Sequence, residues 1–351
     1  MVMLSPQRQT EASLDVVRAM LASVPFFEGV RLEDIGIERL GGALTNTSYK
    51  VTGEAGAYVL RIAGEGTSSY VDRSAEEHNA RVAAAVGVNA EVIHFDVGDG
   101  TMLTRFIDGT TMDGESFGLE SGAPVRAALA LRRVHGMGRA FSTRFDVFSA
   151  AQGYLDLLDE LGTPLLEDYR AAAREVEVVR RALESSPAPL VPCHNDPWPG
   201  NFLEADGRIH LIDWEYSGMN DPMWDLGDLS VEAGLGPAQD RMMMEAYHGG
   251  AAPPALYSRL ELYKVMSDLH WSLWGLVQHA HGNPAEDFQT YALGRLASCT
   301  ARLGSAGFGR HLGVVGAGYL ARAPKRAYRV QLRAESPEPR DTGGRVASRA
   351  S

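Results

Sequence analysis

The chain has only two cysteines, Cys193 and Cys299, in 351 residues. Two cannot build a disulfide framework, so reduced thiols in a cytoplasmic protein are expected. Positive charge is also scarce. Lys and Arg number 33 against 45 Asp and Glu, a formal net charge of -12. Such a surface repels phosphate backbones and anionic lipid, so neither nucleic acid nor membrane is an expected partner. No apolar run approaches the roughly 20 residues of a spanning helix. The N-terminal residues mix charge with short apolar pieces and lack the core of a signal peptide. No internal repeat is present. What the sequence does have is length and 45% hydrophobic residues, enough for one large domain or two moderate ones.

The two ends are polar. Residues 1–10 run into the polar stretch SPQRQT, the stretch 335–351 (ESPEPRDTGGRVASRAS) has no large apolar residue except Val346, and both are expected to be disordered. Between them the texture changes once. Within a first lobe expected over 11–106, residues 38–106 are mainly strand-like, with Thr47–Val51 and Tyr58–Ile62 joined by a turn at Gly53–Gly56. Alternation puts Arg61 on the face opposite Leu60. A helix over Arg73–Val86 ends at Gly87, and a hairpin follows over 91–106 about a Gly-Asp-Gly turn. In a second lobe expected over 107–334 the pattern is helical after residue 120, with helices expected over Val125–Val134, Gln152–Leu161, Leu166–Leu183, Gln239–His248, Ala255–His279 and Phe288–Leu303. A strand–turn–strand unit near 191–213 interrupts them. The expected class is α+β: a small β-rich lobe before a larger, mainly α lobe, with ligands between them.

The most informative segment is Val191–Leu226, VPCHNDPWPGNFLEADGRIHLIDWEYSGMNDPMWDL. His194 and Asp196 form an H-x-D pair, Asn201 follows five positions on, and Asp213 twelve further. Asp206-Gly207 signals a two-residue hairpin. Pairing about it sets 205 opposite 208 and therefore 201 opposite 212, which brings Asn201 and Asp213 to one open mouth. An amide oxygen and a carboxylate there suit Mg²⁺ beside a substrate phosphate. Asp196 precedes the first strand and is free to take a proton from a hydroxyl. This is the H-x-D-x-x-x-x-N logic of phosphoryl transfer, with His194 and Asp196 at the chemistry. A metal hydrolase using His194, Asp196, His210 and Asp213 is disfavoured, because His210 alternates on a strand and no tight ligand cluster forms.

The runs HNDPWPGN, LIDWEYSG and DPMWDL resemble the choline/ethanolamine kinase branch of the aminoglycoside phosphotransferase-like kinases, over about residues 35–305. The resemblance implies a protein-kinase-like two-lobed fold that uses ATP and Mg²⁺. It makes Leu40–Tyr49 (LGGALTNTSY) a phosphate-covering loop, with Thr45, Asn46 and Thr47 offering donors. No G-K-[ST] follows, so it is not a P-loop. Arg61, in the context V-L-R-I, takes the place of the strand lysine on the nucleotide phosphates; arginine binds phosphate bidentately. Its partner is Glu76 or Glu77, and the pattern R-x-x-E…N over Arg73, Glu76 and Asn79 favours Glu76. Thr104 and Phe106 fall in the hinge that meets adenine. Asp225 is expected to hold the catalytic-loop backbone. Asp221 before Pro222 reads as a helix N-cap.

Five tryptophans bear on the phosphate acceptor. Trp198 lies in the catalytic loop, Trp214 follows Asp213, and Trp271 and Trp274 share a helix face. Tyr216 and Tyr291 are candidates to join them. Aromatic faces attract a quaternary ammonium, and Asp268–Gln278 resembles the bacterial choline kinase segment that supplies such rings. One of Trp271 and Trp274 is expected to pack inward and the other to reach the pocket. Glu215 either adds negative charge beside the ammonium or pairs within the loop. Trp198 departs from the family, where a smaller residue is usual. Three readings follow: a kinase of choline or a similar small cationic alcohol; the same reaction on an aminoglycoside, ethanolamine or another metabolite alcohol; or a nucleotide-binding protein without turnover.

Overall fold

The computed structural model describes residues 14–42, 44–64, 67, 71–119 and 122–316. The expected disorder of 1–10 and 335–351 lies outside them. Helix α1 (Leu14–Ser23) precedes a sheet of β1 (Gly36–Leu40), β2 (Thr47–Gly53) and β3 (Gly56–Ile62). Helix α2 (Arg73–Ala85) then leads to β4 (Val92–Phe95) and β5 (Met102–Arg105). The five strands are antiparallel in the order β1-β2-β3-β5-β4.

Strand alternation decides what each face does. Tyr49 and Val51 on β2 stand opposite Leu60 and Tyr58 on β3. All four join α1 residues Val17 and Leu21 in a buried cluster. Arg61, opposite Ser48, therefore faces the other way, as the alternation predicts. Helix α1 has no counterpart among the expected elements. Its two buried side chains, Val17 and Leu21, are too few for a clear helical period. Asp72 caps α2 by accepting from the Ala75 amide at 3.0 Å, and Gly87 beyond its end adopts φ +72°, a conformation that favours glycine.

The C-terminal lobe begins with β6 (Thr110–Thr111), α3 (Gly114–Leu119), α4 (Ala123–His135) and α5 (Val147–Glu160). Two short helices, α6 (Glu167–Glu175) and α7 (Glu177–Ser185), replace the single helix expected over 166–183. The chain breaks at Val176 because the two halves pack on different partners, α6 on α11 (Phe288–Leu303) and α7 on α12 (Phe308–Val315). Strands β7 (Val191–Cys193), β8 (Phe202–Ala205), β9 (Arg208–Leu211) and β10 (Gly218–Asn220) carry the interrupting unit. Helices α8 (Pro222–Glu232), α9 (Pro237–His248) and α10 (Pro254–Ala280) follow. Helix α10 is buried on every side along most of its length and packs on α5, α8, α11 and α12. It is the axis of the lobe. Among the described residues no helix is long and apolar enough to cross a membrane.

The β8–β9 hairpin has the expected register. Ala205 pairs with Arg208 and Phe202 with Leu211. Asp206 and Gly207 take φ +51° and +70°, the twist a two-residue hairpin turn needs. The Ile212 amide then donates to the Asn201 carbonyl at 3.0 Å, which closes the mouth where Asn201 and Asp213 sit.

Candidate active site

A cavity of about 920 Å³ lies between the sheet and the helical lobe. Its floor is the loop after β7. Asn195 there adopts φ +67°, which asparagine tolerates better than most residues. Its side chain secures the bend by donating to the Tyr216 carbonyl at 3.0 Å and accepting from Asn220 at 3.0 Å. Asp225, four residues after the Asp221 cap of α8, accepts from the amides of His194 (2.8 Å) and Asn195 (2.9 Å). His135 on α4 holds the same carboxylate at 3.0 Å and contacts Tyr247 at 2.8 Å. The bend thus presents Asp196 to the cavity. Asn201 Nδ2 donates to the Asp196 carbonyl (2.9 Å) and carboxylate (3.1 Å). That leaves the Asn201 amide oxygen for a cation. Burial, then the carboxylates of Asp228 and Asp213, hold the Asp196 carboxyl well above the usual range.

His194 does not reach this space. It is fully buried, its Nε2–H donates to the Ile212 carbonyl at 2.9 Å, and its ring packs on Trp214 with centroids 4.7 Å apart. Burial lowers its pKa, so the ring is neutral. The expectation that His194 takes part in the chemistry is corrected: it ties the loop carrying Asp196 to the segment carrying Asp213. Trp214 is corrected likewise. It is 1% exposed, donates to the Leu211 carbonyl at 3.1 Å and packs edge-on against Phe141. The chain turns after Asp213, with the Ser217 amide donating to the Trp214 carbonyl at 3.1 Å, and the turn sends neighbouring side chains to opposite sides. Asp213 and Glu215 face the cavity, and Trp214 between them faces the core.

Asp213, at φ +63°, contacts Arg61 at 3.3 Å through one oxygen and accepts from Asn46 at 3.2 Å through the other. Glu76 lies between Arg61 and Arg73, 2.6 Å from the latter. Glu77 instead makes an outward pair with Arg81 at 3.0 Å, which settles the choice that spacing left open. Glu215 stands with this group, 3.4 Å from Arg73, so its ion pair is with α2 and not within its own loop. Burial and Asp213 push its carboxyl up to about 8. Glu76, Asp213 and Glu215 bring oxygens within 4.8 Å of one another. With the Asn201 oxygen these are hard donors of the kind Mg²⁺ prefers.

Beyond them the cavity narrows into an apolar slot of Leu40, Val59, Ala90, Met102, Leu203 and Ile212, edged by Thr104 and Phe106. Thr45 and Asn46 line its entrance. Gly64 donates its amide to Asn46 at 3.2 Å and passes so close to the Thr45 carbonyl that a Cβ would collide. Thr47 does not line the cavity. It begins β2 opposite Ile62, and Ser48 lines the wall in its place.

On the other side of Asp196 the wall is aromatic. Trp198, Tyr216, Trp271, Trp274 and Tyr291 all line it. Ring centroids are 5.8 Å apart for Tyr216–Trp271, 5.7 Å for Trp271–Trp274 and 6.2 Å for Trp274–Tyr291. Both members of the α10 pair reach the cavity, not one. Two features here had no expectation. Arg295 pairs with Glu232 and, at 3.3 Å, with Asp268. Asp228 lies beneath Trp271 and accepts from its indole N–H at 2.7 Å. A charged residue three after Asp225 on an otherwise apolar helix was the available signal.

Comparison with known proteins agrees with this geometry. The Phosphotransferase enzyme family (APH) matches residues 36–263, more than half of the chain. Protein LicA of Haemophilus influenzae is 29% identical over 259 residues, 72% of this chain and 96% of that protein. Ethanolamine kinase 2 of Mus musculus is 26% identical over 289 residues, 74% of each. A solved choline/ethanolamine kinase family protein from Mesorhizobium loti is 44% identical with a TM-score of 0.76, covering 87% of this chain and 99% of that one. The choline kinase LicA from Streptococcus pneumoniae shares the fold at 24% identity and a TM-score of 0.70, over 83% and 98% of the two chains. The chain is a phosphotransferase that belongs to the phosphotransferase enzyme family and, within it, to the choline/ethanolamine kinases.

Proposed function

We propose that this protein transfers the terminal phosphate of ATP to the hydroxyl of choline or a similar small amino alcohol. One observation carries the reading: Asp196 stands between a cavity end lined by arginine and carboxylates and an end walled by aromatic rings. The first end suits a nucleotide phosphate with its cation, the second a compact ammonium group. The names of the relatives point the same way.

In this reading adenine enters the apolar slot beside Thr104 and Phe106. Arg61, fixed by Glu76, holds the phosphates, and Thr45 and Asn46 cover them. Asp213 and Asn201 would hold Mg²⁺, with Glu215 beside them; the ion would neutralise charge on the phosphates as they separate. Asp196 orients the acceptor hydroxyl and takes its proton as the new O–P bond forms and the bond to the bridging oxygen of ATP breaks. The raised pKa of Asp196 comes from burial and neighbouring carboxylates, so an arriving ammonium favours its ionised, proton-accepting form. His194 and Asp225 position the loop.

The test is ATP turnover with Mg²⁺ over choline, ethanolamine, several aminoglycosides and small sugars, with Asp196→Asn as control. Turnover of choline or ethanolamine, lost in the variant, is expected. Turnover of aminoglycosides or sugars alone would keep the mechanism and remove the amino-alcohol reading.

A further inference from the structure

The aromatic box has a buried carboxyl beneath it that, among the described residues, no cation pairs with directly. Asp228 on α8 is fully buried. One oxygen accepts from Ser267 at 2.5 Å and from the Trp271 indole at 2.7 Å, both on α10. The other oxygen is buried with no hydrogen-bond partner among the described residues. The nearby cation, Arg295 on α11, attracts Asp228 from a distance but makes its direct ion pairs with Glu232 and Asp268 and is 3.4 Å from the Tyr291 hydroxyl. Asp225, one helical turn back on α8, is held by His135. Among the described residues the Asp196 carboxylate is met only by the neutral amide of Asn201. The region therefore holds more carboxyl groups than its own cations pair with.

A buried carboxylate without a counter-charge is costly. Burial pushes the Asp228 carboxyl up to about 7. A ligand that brings positive charge into the box supplies what the fold leaves out. The hydrogen bond adds a second effect. An indole whose N–H donates to a carboxylate is polarised toward its ring, and a more electron-rich face attracts a cation more strongly.

We infer that Asp228 is a specificity-determining residue: from beneath the box its carboxylate fixes Trp271 and selects an acceptor that carries positive charge. The inference deepens the acceptor proposed above and rests on it. Asp228 does not touch the acceptor, so its role is positioning and charge, not chemistry.

Two ligands of one shape separate charge from packing: choline and dimethylbutanol, its uncharged carbon isostere. Binding to the full-length enzyme is read by tryptophan fluorescence, and turnover by steady-state kinetics. Asp228→Asn keeps the shape and an oxygen for Trp271 and removes the charge. It is expected to raise KM for choline about tenfold or more, the scale of one desolvated cation interaction. KM for ATP and dimethylbutanol binding should hold, and thermal stability should not fall, because a costly buried charge is removed. Trp271→Phe keeps the charge and loses the hydrogen bond; choline should still be preferred over dimethylbutanol, with weaker binding overall. Asp228→Asn weakening both ligands equally, or neither, overturns the inference and leaves the amino-alcohol reading standing. Loss of the preference in Trp271→Phe also overturns it, since the ring alone would then select. A wild-type enzyme that binds neither choline nor ethanolamine overturns the acceptor reading and this inference with it.

Discussion

Arg61 Nη1 lies 3.3 Å from Asp213 Oδ1, although 152 residues of chain separate them. One side chain hangs from the sheet and the other from the end of the β8–β9 hairpin, so the contact joins the two lobes across the cavity. Arg61 is pinned from behind by Glu76 and keeps its charge forward. Arg61→Ala should therefore raise KM for ATP about tenfold or more and leave KM for the acceptor nearly unchanged. Glu76→Gln should act in the same direction. Glu77→Gln should do nothing measurable, because its partner is an exposed Arg81 and surface pairs contribute little. A two-substrate kinetic grid separates these outcomes. An effect of Arg61→Ala confined to the acceptor would be incompatible with its assignment.

Trp214 and Trp274 should fail differently when changed. Trp214 is part of the core under the catalytic loop, so Trp214→Ala should lower stability by about 3–5 kcal/mol, the usual cost of emptying a buried aromatic site. Its folded fraction should keep a normal KM for the acceptor. Trp274 faces the cavity, so Trp274→Leu should raise that KM about tenfold while melting shifts less. Denaturant titration with kinetics on both variants checks this. Equal effects on KM would contradict the placement of Trp214.

Much of the site was legible because local chemistry set it. Asp206-Gly207 fixes a hairpin register, and register places Asn201 and Asp213. Alternation along β3 aims Arg61. What was not legible depends on which way a side chain turns after an irregular residue. The H-x-D spacing says nothing of the φ +67° bend at Asn195, which presents Asp196 and buries His194. The same applies after Asp213, whose φ of +63° and the turn that follows it send Trp214 inward. The burial of Asp228 and the Arg73–Glu215 contact join elements far apart in the chain, and no periodicity reports such contacts. The break at Val176 has the same origin, since two different helices receive the two halves.

Gly200 supports Trp198 by being small. A Cβ there would run into the six-membered ring of Trp198, while the backbone itself is not in the left-handed region. Gly200→Ala therefore strains the ring and not the chain. It should push Trp198 off the cavity wall, changing acceptor KM severalfold with little change in melting, as expected when a binding contact moves and the core does not. Gly200→Ala combined with Trp198→Ala should behave like Trp198→Ala alone. Additive effects in the double variant would show that Gly200 acts on something else.

His270 gives a prediction in pH. It is fully buried, and neither ring nitrogen has a partner among the described residues. The rings of Phe145, Tyr154, Trp224 and Trp271 surround it. Burial drives its pKa from 6.5 down to about 3. Below pH 6.5 the unfolded chain takes up a proton that the folded chain refuses, so stability falls by about 1.4 kcal/mol per pH unit until the folded ring protonates near pH 3. Asp228 and Glu215 act in the opposite sense. Their carboxyls are pushed up to about 7 and about 8, so acidification through that range relieves buried charge and raises stability. The slope of the wild-type curve mixes both effects. The difference from His270→Leu does not, because the carboxylates are common to both proteins. The stability of His270→Leu minus that of the wild type should be flat above pH 7 and should rise by about 2 kcal/mol between pH 6.5 and 5. Denaturant unfolding at a series of pH values measures it. Two parallel curves over that interval would mean that the folded protein protonates His270 as readily as the unfolded chain does.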